Sequence, residues 1–153
     1  MASVGFVGLG NMGRPMALNL VKRGFALVVH DIDPAKVEPL RAKGAKVVES
    51  AEQVAAASTR MICMVETTAQ AESVIAGERG FIKSAARGSI VLCMSTIDPL
   101  VAKRMGGELA ARGIAMLDAP VSGGTERAIS GELSIIGGGE TATFDACRDL
   151  FDA

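Results

Sequence analysis

Short apolar runs alternate with longer amphipathic stretches along this chain, and this alternation predicts strands separated by helices. Seven runs of mostly apolar residues have the length of strands: 4–7, 26–30, 46–48, 60–65, 89–94, 115–117 and 133–136. Periodic apolar positions between them predict helices that begin near residues 12, 34, 51, 68, 99 and 142. Strands joined through helices by short connections are typical of a parallel sheet covered on both faces. The predicted fold class is therefore α/β, with a mostly parallel, twisted sheet.

Turn and capping residues mark the ends of the predicted helices. Asp33-Pro34 combines a capping carboxylate with proline at the first helical position, and Gly44 is a stop signal, so we expect a helix over 34–43. The same signals predict a helix over 99–112. The last predicted helix carries an apolar stripe and reaches Ala153 without a glycine, proline or cap. We therefore expect one domain over 1–153 that stops at a domain edge.

Composition and charge limit the classes of function. Apolar residues make up 49% and charged residues 22% of the chain, which is typical of a globular protein. No run approaches the roughly 18 uncharged apolar residues of a membrane span. A net charge of −1 and the absence of Trp and Tyr argue against a nucleic-acid partner. The N-terminus enters a strand directly, without a basic segment and an apolar signal region, so we expect an unexported, cytoplasmic protein.

Three cysteines fall inside predicted buried elements. Cys63 and Cys93 lie in strands, and Cys147 lies on the apolar stripe of the last helix. An odd count without a C-x-x-C pair predicts neither a disulfide framework nor a zinc site. We expect all three to be small core residues, and we expect no metal.

The run Gly8-Leu9-Gly10-Asn11-Met12-Gly13 follows the first strand and opens the first helix. In this setting the G-x-G-x-x-G spacing predicts dinucleotide binding. The first glycine permits a tight turn, the second lets a pyrophosphate approach the backbone, and the third lets helix and strand pack closely. We expect all six residues to bind the cofactor. The alternative for a lone match is a glycine-rich turn that binds nothing.

An acidic residue stands at the distance that this interpretation requires. Asp31 ends the second strand, 18 residues after Gly13, where a carboxylate can accept hydrogen bonds from ribose hydroxyls. A carboxylate there also repels a 2′-phosphate, and the nearby sequence offers only Lys36 as a cation, with no arginine. These observations predict NAD rather than NADP as the cofactor. The alternative is that Asp31 merely ends its strand.

A second glycine motif, Asp118-Ala119-Pro120-Val121-Ser122-Gly123-Gly124, follows the strand at 115–117. Ligands of open α/β sheets lie outside the carboxyl ends of the strands, so we expect this loop to face the same crevice as the first motif. The Ser122 hydroxyl and the backbone N–H groups of Gly123 and Gly124 can bind a small anion such as a substrate carboxylate. The alternative is a structural turn.

Together these motifs resemble the β-hydroxyacid dehydrogenase family, which contains 3-hydroxyisobutyrate dehydrogenase and tartronate semialdehyde reductase. The resemblance covers essentially all 153 residues, and the second motif is the more specific one. It implies a Rossmann-type NAD-binding domain, hydride transfer between NAD and the hydroxyl carbon of a small 3-hydroxy acid, and a homo-oligomer when full length. The matching positions are Gly5 to Gly13 with Pro15-Met16-Ala17, Met94 to Pro99, and Asp118 to Gly124 with Ala128, Gly131 and Leu133.

The resemblance also implies further cofactor contacts. Thr96 matches the residue beside the nicotinamide ribose, and Val65 and Gln70 match residues that flank the cofactor after the fourth strand. The chain departs from the family at Glu66, where the family usually has proline. We therefore expect the loop over 65–68 to be looser than in the family.

In the family, a lysine in a G-x-x-x-K-x-x-x-N segment after the Rossmann-type domain transfers the proton. The 153 residues contain no Lys-x-x-x-Asn pair. Their only histidine, His30, ends a strand and is a poor candidate for the base. We therefore expect no catalytic residue in this chain, with the lysine beyond Ala153 in an absent helical catalytic and dimerisation domain.

Two alternatives stay open. One is a non-catalytic dinucleotide-binding module. The other is an NADP enzyme like 6-phosphogluconate dehydrogenase, which shares Val-Ser-Gly-Gly but lacks the Asp-Ala-Pro lead-in. Imine reductases share the first motif and not the second.

Overall fold

A computed structural model describes residues 3–153 of the chain. Its centre is a sheet of six parallel strands in the order β3-β2-β1-β4-β5-β6. This is the 3-2-1-4-5-6 order of doubly wound dinucleotide-binding sheets, so the predicted fold class is confirmed. The strands are β1 (Val4–Val7), β2 (Leu27–His30), β3 (Lys46–Val47), β4 (Arg60–Cys63), β5 (Ile90–Cys93) and β6 (Ala115–Asp118).

Helices connect the strands and cover both faces of the sheet. They are α1 (Gly13–Lys22), α2 (Glu38–Arg41), α3 (Ala51–Ala56), α4 (Thr68–Ala76), α5 (Pro99–Ala110), α6 (Gly124–Ser130), α7 (Thr141–Asp145) and α8 (Arg148–Phe151). Pro34–Val37 and Phe81–Lys83 form short 3₁₀ turns. Within residues 3–153, none of the helices has the length and apolar character that crossing a bilayer requires.

The core lies on the two faces of the sheet because successive strand residues point to opposite sides. Phe6, Ile62 and Leu92 belong to the cluster that also buries Leu20 of α1 and Leu150 of α8. Their neighbours in the same strands pack on the other face against α3, α4 and α5. That second cluster includes Val7, Met61, Cys63, Val91, Cys93, Val54, Ile75 and Met105.

The predicted helix over 34–43 is divided. A 3₁₀ turn at 34–37 is followed by α2, which begins at Glu38 with Pro39 in its first turn. Proline lacks the N–H that would continue the preceding turn, so it starts a new helix here. The Asp33 carboxylate accepts a hydrogen bond from the Ala35 N–H at 3.0 Å, which confirms the predicted cap.

The C-terminal third differs most from the expectation. The strand predicted over 133–136 is β8 (Ser134–Ile135), which pairs antiparallel with β7 (Val121–Ser122) in a separate two-stranded sheet. α6 was not predicted, because Ala128 is its one buried residue and its sequence has no apolar period. The predicted last helix is two short ones, α7 and α8. Arg60 holds α8 to β4 through two hydrogen bonds to Asp149, of 2.6 and 3.0 Å.

All three cysteines are buried and unpaired, as predicted. Burial raises the pKa of Cys93 to about 12, and it raises the pKa of the Cys63 and Cys147 thiols as well. The thiolate is the reactive form, and about one part in 10⁴ of a thiol with a pKa of about 12, as for Cys93, is ionised at pH 8. We expect the native chain to resist Ellman's reagent at pH 8, while the unfolded chain in guanidinium reacts with three equivalents. Rapid labelling of the native chain would contradict this placement.

Candidate functional site

A cleft of about 620 Å³ opens at the carboxyl ends of β1, β2 and β4. The cofactor was predicted to bind at this edge, because the carboxyl ends of parallel strands face the ligand in open α/β sheets. Five of the predicted cofactor residues line the cleft: Gly8, Gly10, Asp31, Val65 and Gln70.

The three glycines of the first motif have three different surroundings. Gly8 has φ +100°, and a Cβ there would lie 2.0 Å from the Met64 carbonyl oxygen. A Cβ on Gly13 would lie 1.8 Å from the Gly8 carbonyl oxygen, so this glycine allows α1 to touch the strand end. A Cβ on Gly10 would meet nothing within 4 Å. The fold therefore requires glycine at the first and third positions of the motif. At the second position the protein leaves room for a Cβ, so the fold alone does not require glycine there.

The Asp31 carboxylate is held in place by backbone N–H groups. One oxygen accepts from the Leu9 N–H at 2.7 Å, and the other accepts from the Asp33 N–H at 2.8 Å. Asp31 thereby joins the end of β2 to the glycine loop. Each carboxylate oxygen has a further lone pair, which leaves acceptor capacity for a ligand hydroxyl.

The other motif residues have separate positions. The Leu9 side chain is buried in the core, so this residue meets the cleft region only through its backbone. Met12 is half-buried at the start of α1 and makes no capping bond there. Asn11 is exposed and lines a second groove, of about 320 Å³, together with Arg14 and Thr125.

Three hydrogen bonds anchor the loop over 65–68, for which we expected a looser chain than in the family. The Val65 N–H donates to the Ser95 hydroxyl at 2.8 Å. The N–H groups of Glu66 and Thr67 donate to Gln70 Oε1 at 3.0 and 3.1 Å. Glutamate at 66 has the N–H that proline would lack, and the fold uses it. Gln70, predicted as a cofactor contact, is also part of the box that caps α4.

Thr96 and the second glycine motif lie outside the cleft lining. Thr96 is exposed on the loop after β5, and Ser122, Gly123 and Gly124 are exposed beyond β6. The shared crevice stays a prediction: the 620 Å³ cleft lies at β1, β2 and β4, and β4 and β5 separate the edge strand β6 from β1. The second groove does bring the two motifs near each other, because Asn11 of the first motif and Thr125, which follows the second, both line it.

Backbone geometry explains both glycines of the second motif. Gly123 has φ +137° and Gly124 has φ +69°, conformations that side chains with a Cβ rarely adopt. A Cβ on Gly123 would also lie 2.7 Å from the Arg127 Cδ. A substitution at Gly123 would therefore strain the turn whether or not the loop binds a carboxylate.

Sequence reasoning missed an arginine in the cleft. Arg79 lines it together with Lys36 and Asp31, although it follows Asp31 by 48 residues and belongs to no motif. Ile32 is 88% exposed at the same rim. His30 ends β2 with its Nδ1 3.1 Å from the Val48 carbonyl oxygen, as expected of a strand-end residue. Within residues 3–153, no three His, Cys, Asp or Glu side chains are grouped to hold a metal ion.

Comparison with protein families agrees with this geometry. The family model described as the NAD binding domain of 6-phosphogluconate dehydrogenase matches residues 3–153. The chain belongs to this family. The predicted NAD-binding domain is thereby confirmed, and NAD is the cofactor of the fold described above.

Named relatives of this NAD-binding domain are hydroxyacid dehydrogenases and reductases. Mitochondrial 3-hydroxyisobutyrate dehydrogenase of Homo sapiens is 41% identical over 147 residues, which are 96% of this chain and 44% of that protein. The 2-hydroxy-3-oxopropionate reductase of Escherichia coli is 44% identical over 149 residues, or 97% of this chain and 51% of that protein. The crystal structure of 3-hydroxyisobutyrate dehydrogenase from Salmonella typhimurium superposes with a TM-score of 0.93 at 32% identity. It covers 100% of this chain and 53% of that one.

These similarities confirm the resemblance to 3-hydroxyisobutyrate dehydrogenase and tartronate semialdehyde reductase. The NAD-binding domain spans about half the length of the curated relatives it matches.

Proposed function

We propose that residues 1–153 form the dinucleotide-binding domain of an NAD-dependent oxidoreductase that acts on small 3-hydroxy acids of the 3-hydroxyisobutyrate type. One observation carries this proposal: Gly10 leaves an open cradle, which a Cβ would fill, in the same cleft as the fixed Asp31 carboxylate. An open glycine beside a carboxylate fits the pyrophosphate and ribose of a dinucleotide. The hydroxyacid relatives support the reaction class.

The residues present fit NAD in distinct roles. The backbone of Gly8 to Gly13 holds the pyrophosphate, with Leu9 fixed through its bond to Asp31. Asp31 accepts from the adenosine ribose hydroxyls, and Val65 and Gln70 flank the cofactor. Thr96 lies on the nicotinamide side. Bound NAD supplies the hydride acceptor, and the protein supplies position and orientation.

The proposal divides the substrate site between two parts of the protein. Ser122, Gly123 and Gly124 bind the substrate carboxylate, supported by their exposure and by their place after β6. Oxidation of a hydroxyl carbon also needs a group that takes the hydroxyl proton. We place that group in a helical domain that follows this one, supported by the relatives, which are about twice as long as this chain.

Cellular setting and assembly belong to the same proposal. We place the protein in the cytoplasm, supported by three unpaired thiols that fit a reducing compartment. We also propose a homo-oligomer for the complete enzyme, with a small hydroxy acid as its substrate.

One observation favours use of NADP as a second cofactor. Arg79 and Lys36 line the cleft that holds Asp31, and within residues 3–153 neither side chain makes a salt bridge. Two such cations can offset the repulsion between Asp31 and a 2′-phosphate. The preference for NAD then depends on the balance of these three side chains.

We expect NADH to bind the chain at least tenfold more tightly than NADPH, a difference of about 1.4 kcal/mol. Asp31→Ala should narrow this ratio because the repulsion of the 2′-phosphate is lost. It should also weaken NADH binding, since the Leu9 N–H loses its acceptor. Fluorescence titration of the chain with both nucleotides measures the ratio.

Arg79→Ala is the matched comparison. It should raise the NADPH dissociation constant while leaving that of NADH nearly unchanged. Equal affinities of the wild-type chain for the two nucleotides would refute the preference for NAD.

A further inference from the structure

Ser95 lies where the loop after β5 begins, and it is fully buried. Its hydroxyl accepts a hydrogen bond of 2.8 Å from the Val65 N–H, in the loop after β4. The bond therefore crosses between two adjacent strands at the edge of the sheet where the cleft opens. Val65 itself lines that cleft.

A second bond joins the same two loops. The Asp98 N–H donates to Thr68 Oγ1 at 3.1 Å. Thr68 is the first residue of α4, and the Asp98 carboxylate caps α5 by accepting from the Leu100 N–H at 2.8 Å. The starts of both helices are thus linked to each other beyond the strand ends.

The remaining amides of the first loop are held within that loop. The Glu66 and Thr67 N–H groups both donate to Gln70, which belongs to α4. The bond from Val65 to Ser95 therefore connects this self-contained turn to the neighbouring strand. Without it, a half-buried N–H would lose its partner, at a cost comparable to a lost hydrogen bond.

We infer that Ser95 is a positioning residue of the cofactor site: its buried hydroxyl fixes the loop after β4 to the loop after β5. The two loops then present Val65 and Thr96 to one dinucleotide as a single rigid unit. The inference rests on the proposed function, because it assumes that both loops contact the bound cofactor. Ser95 acts through Val65 and is not itself a catalytic residue.

The chain contains a matched control for this role. Ser89 lies immediately before β5, at the opposite end from Ser95, and is 2% exposed. Its hydroxyl is buried without a hydrogen-bond partner within residues 3–153. Ser89→Ala therefore removes the same atom from a similarly buried place, and it breaks no bond between loops.

The test is titration of the 153-residue chain and its variants with NADH, at a temperature where circular dichroism shows each to be folded. Ser95→Ala should raise the NADH dissociation constant about fivefold, which corresponds to the usual contribution of one hydrogen bond. Ser89→Ala should leave it unchanged. An unchanged constant in Ser95→Ala overturns the inference even if the variant melts at a lower temperature, because the hydroxyl would then serve stability alone.

Thr68→Val tests the second bond at a partly exposed position that tolerates the change. We expect a dissociation constant about threefold higher than that of the wild type. If Ser95→Ala does not fold, Ser95→Cys replaces it, because the thiol fills the same place and is only a weak acceptor: an unchanged NADH dissociation constant in that variant overturns the inference. A wild-type chain that binds no NADH would overturn the proposed function and this inference together. Tight wild-type binding that survives both substitutions overturns only the positioning role.

Discussion

Replacing Gly10 with alanine is expected to weaken NADH binding about 100-fold, or about 2.7 kcal/mol, while the fold stays intact. The added methyl group meets no protein atom within 4 Å, and Gly10 has no left-handed backbone conformation that a Cβ would strain. Gly10 lines the cleft, and the methyl group is expected to take up space there. Only a ligand that approaches the bare backbone, as a pyrophosphate does, requires glycine here. Titration with NADH measures the loss of affinity, and thermal melting of the apo chain shows whether the fold is intact.

Gly107→Ala is the control for this variant. Gly107 lies exposed inside α5, and a Cβ there also meets nothing within 4 Å. Alanine should leave NADH binding unchanged and should stabilise the helix by roughly 0.5–1 kcal/mol. If Gly10→Ala binds NADH as the wild type does, the glycine loop is a turn that binds nothing, and the assignment of the cleft fails.

The first motif could be interpreted from sequence because each of its positions has a physical requirement of its own. Gly8 needs a positive φ, and its carbonyl oxygen then leaves no room for a Cβ on Gly13. These are local constraints among residues six positions or fewer apart, so they are visible as a short sequence motif. Asp31 was predictable for a related reason: the length of one helix and one strand fixes its distance from the loop.

Contacts between distant segments leave no such pattern. Arg79 reaches the cleft because the connection after α4 returns past the start of α3, where the Glu52 N–H donates to the Arg79 carbonyl oxygen at 2.8 Å. No spacing in the sequence indicates that meeting. Ser95 is similar, since its partner is a backbone N–H group 30 residues away. Nearly every residue has such a group, so the sequence does not single this one out.

The departure at Glu66 shows what a family pattern leaves out. Proline at that position restricts a loop through its ring, so its loss suggests a looser chain. The structure restores the restriction by another route, because the Glu66 N–H binds Gln70. The chain thus has a hydrogen bond where proline would supply a covalent restraint, and the acceptor lies four residues further along the chain.

The second motif is harder to interpret from sequence because two different requirements both call for glycine. Positive φ at Gly123 and Gly124 explains both residues without a ligand. A backbone that is open to a substrate carboxylate would also require glycine at both positions. The sequence alone cannot distinguish the need for a positive φ from the need for an open backbone. Ser122 is the position of the motif where a substitution imposes no backbone strain.

Gly13→Ala is expected to destabilise the chain by about 3 kcal/mol, and so to lower the melting temperature by about 10 °C. The new Cβ would lie 1.8 Å from the Gly8 carbonyl oxygen, far inside the roughly 3.5 Å of a favourable contact. That oxygen is backbone in a turn with φ +100°, so it cannot rotate away as a side-chain tip would. To relieve the clash, α1 must move off the sheet and withdraw Leu20 from the core.

Thermal melting of the apo chain, with Gly107→Ala beside it, measures this effect without any ligand. The control replaces glycine by alanine inside a helix and should melt slightly above the wild type. The two variants thus receive the same methyl group, but the expected changes in melting temperature have opposite signs. The difference between the two melting temperatures measures the effect of the contact between α1 and the strand end. A Gly13→Ala chain that melts within about 2 °C of the wild type would show that the turn can accommodate the Cβ with little loss of stability. Close packing of helix on strand would then not be the reason for glycine at the third position of the motif.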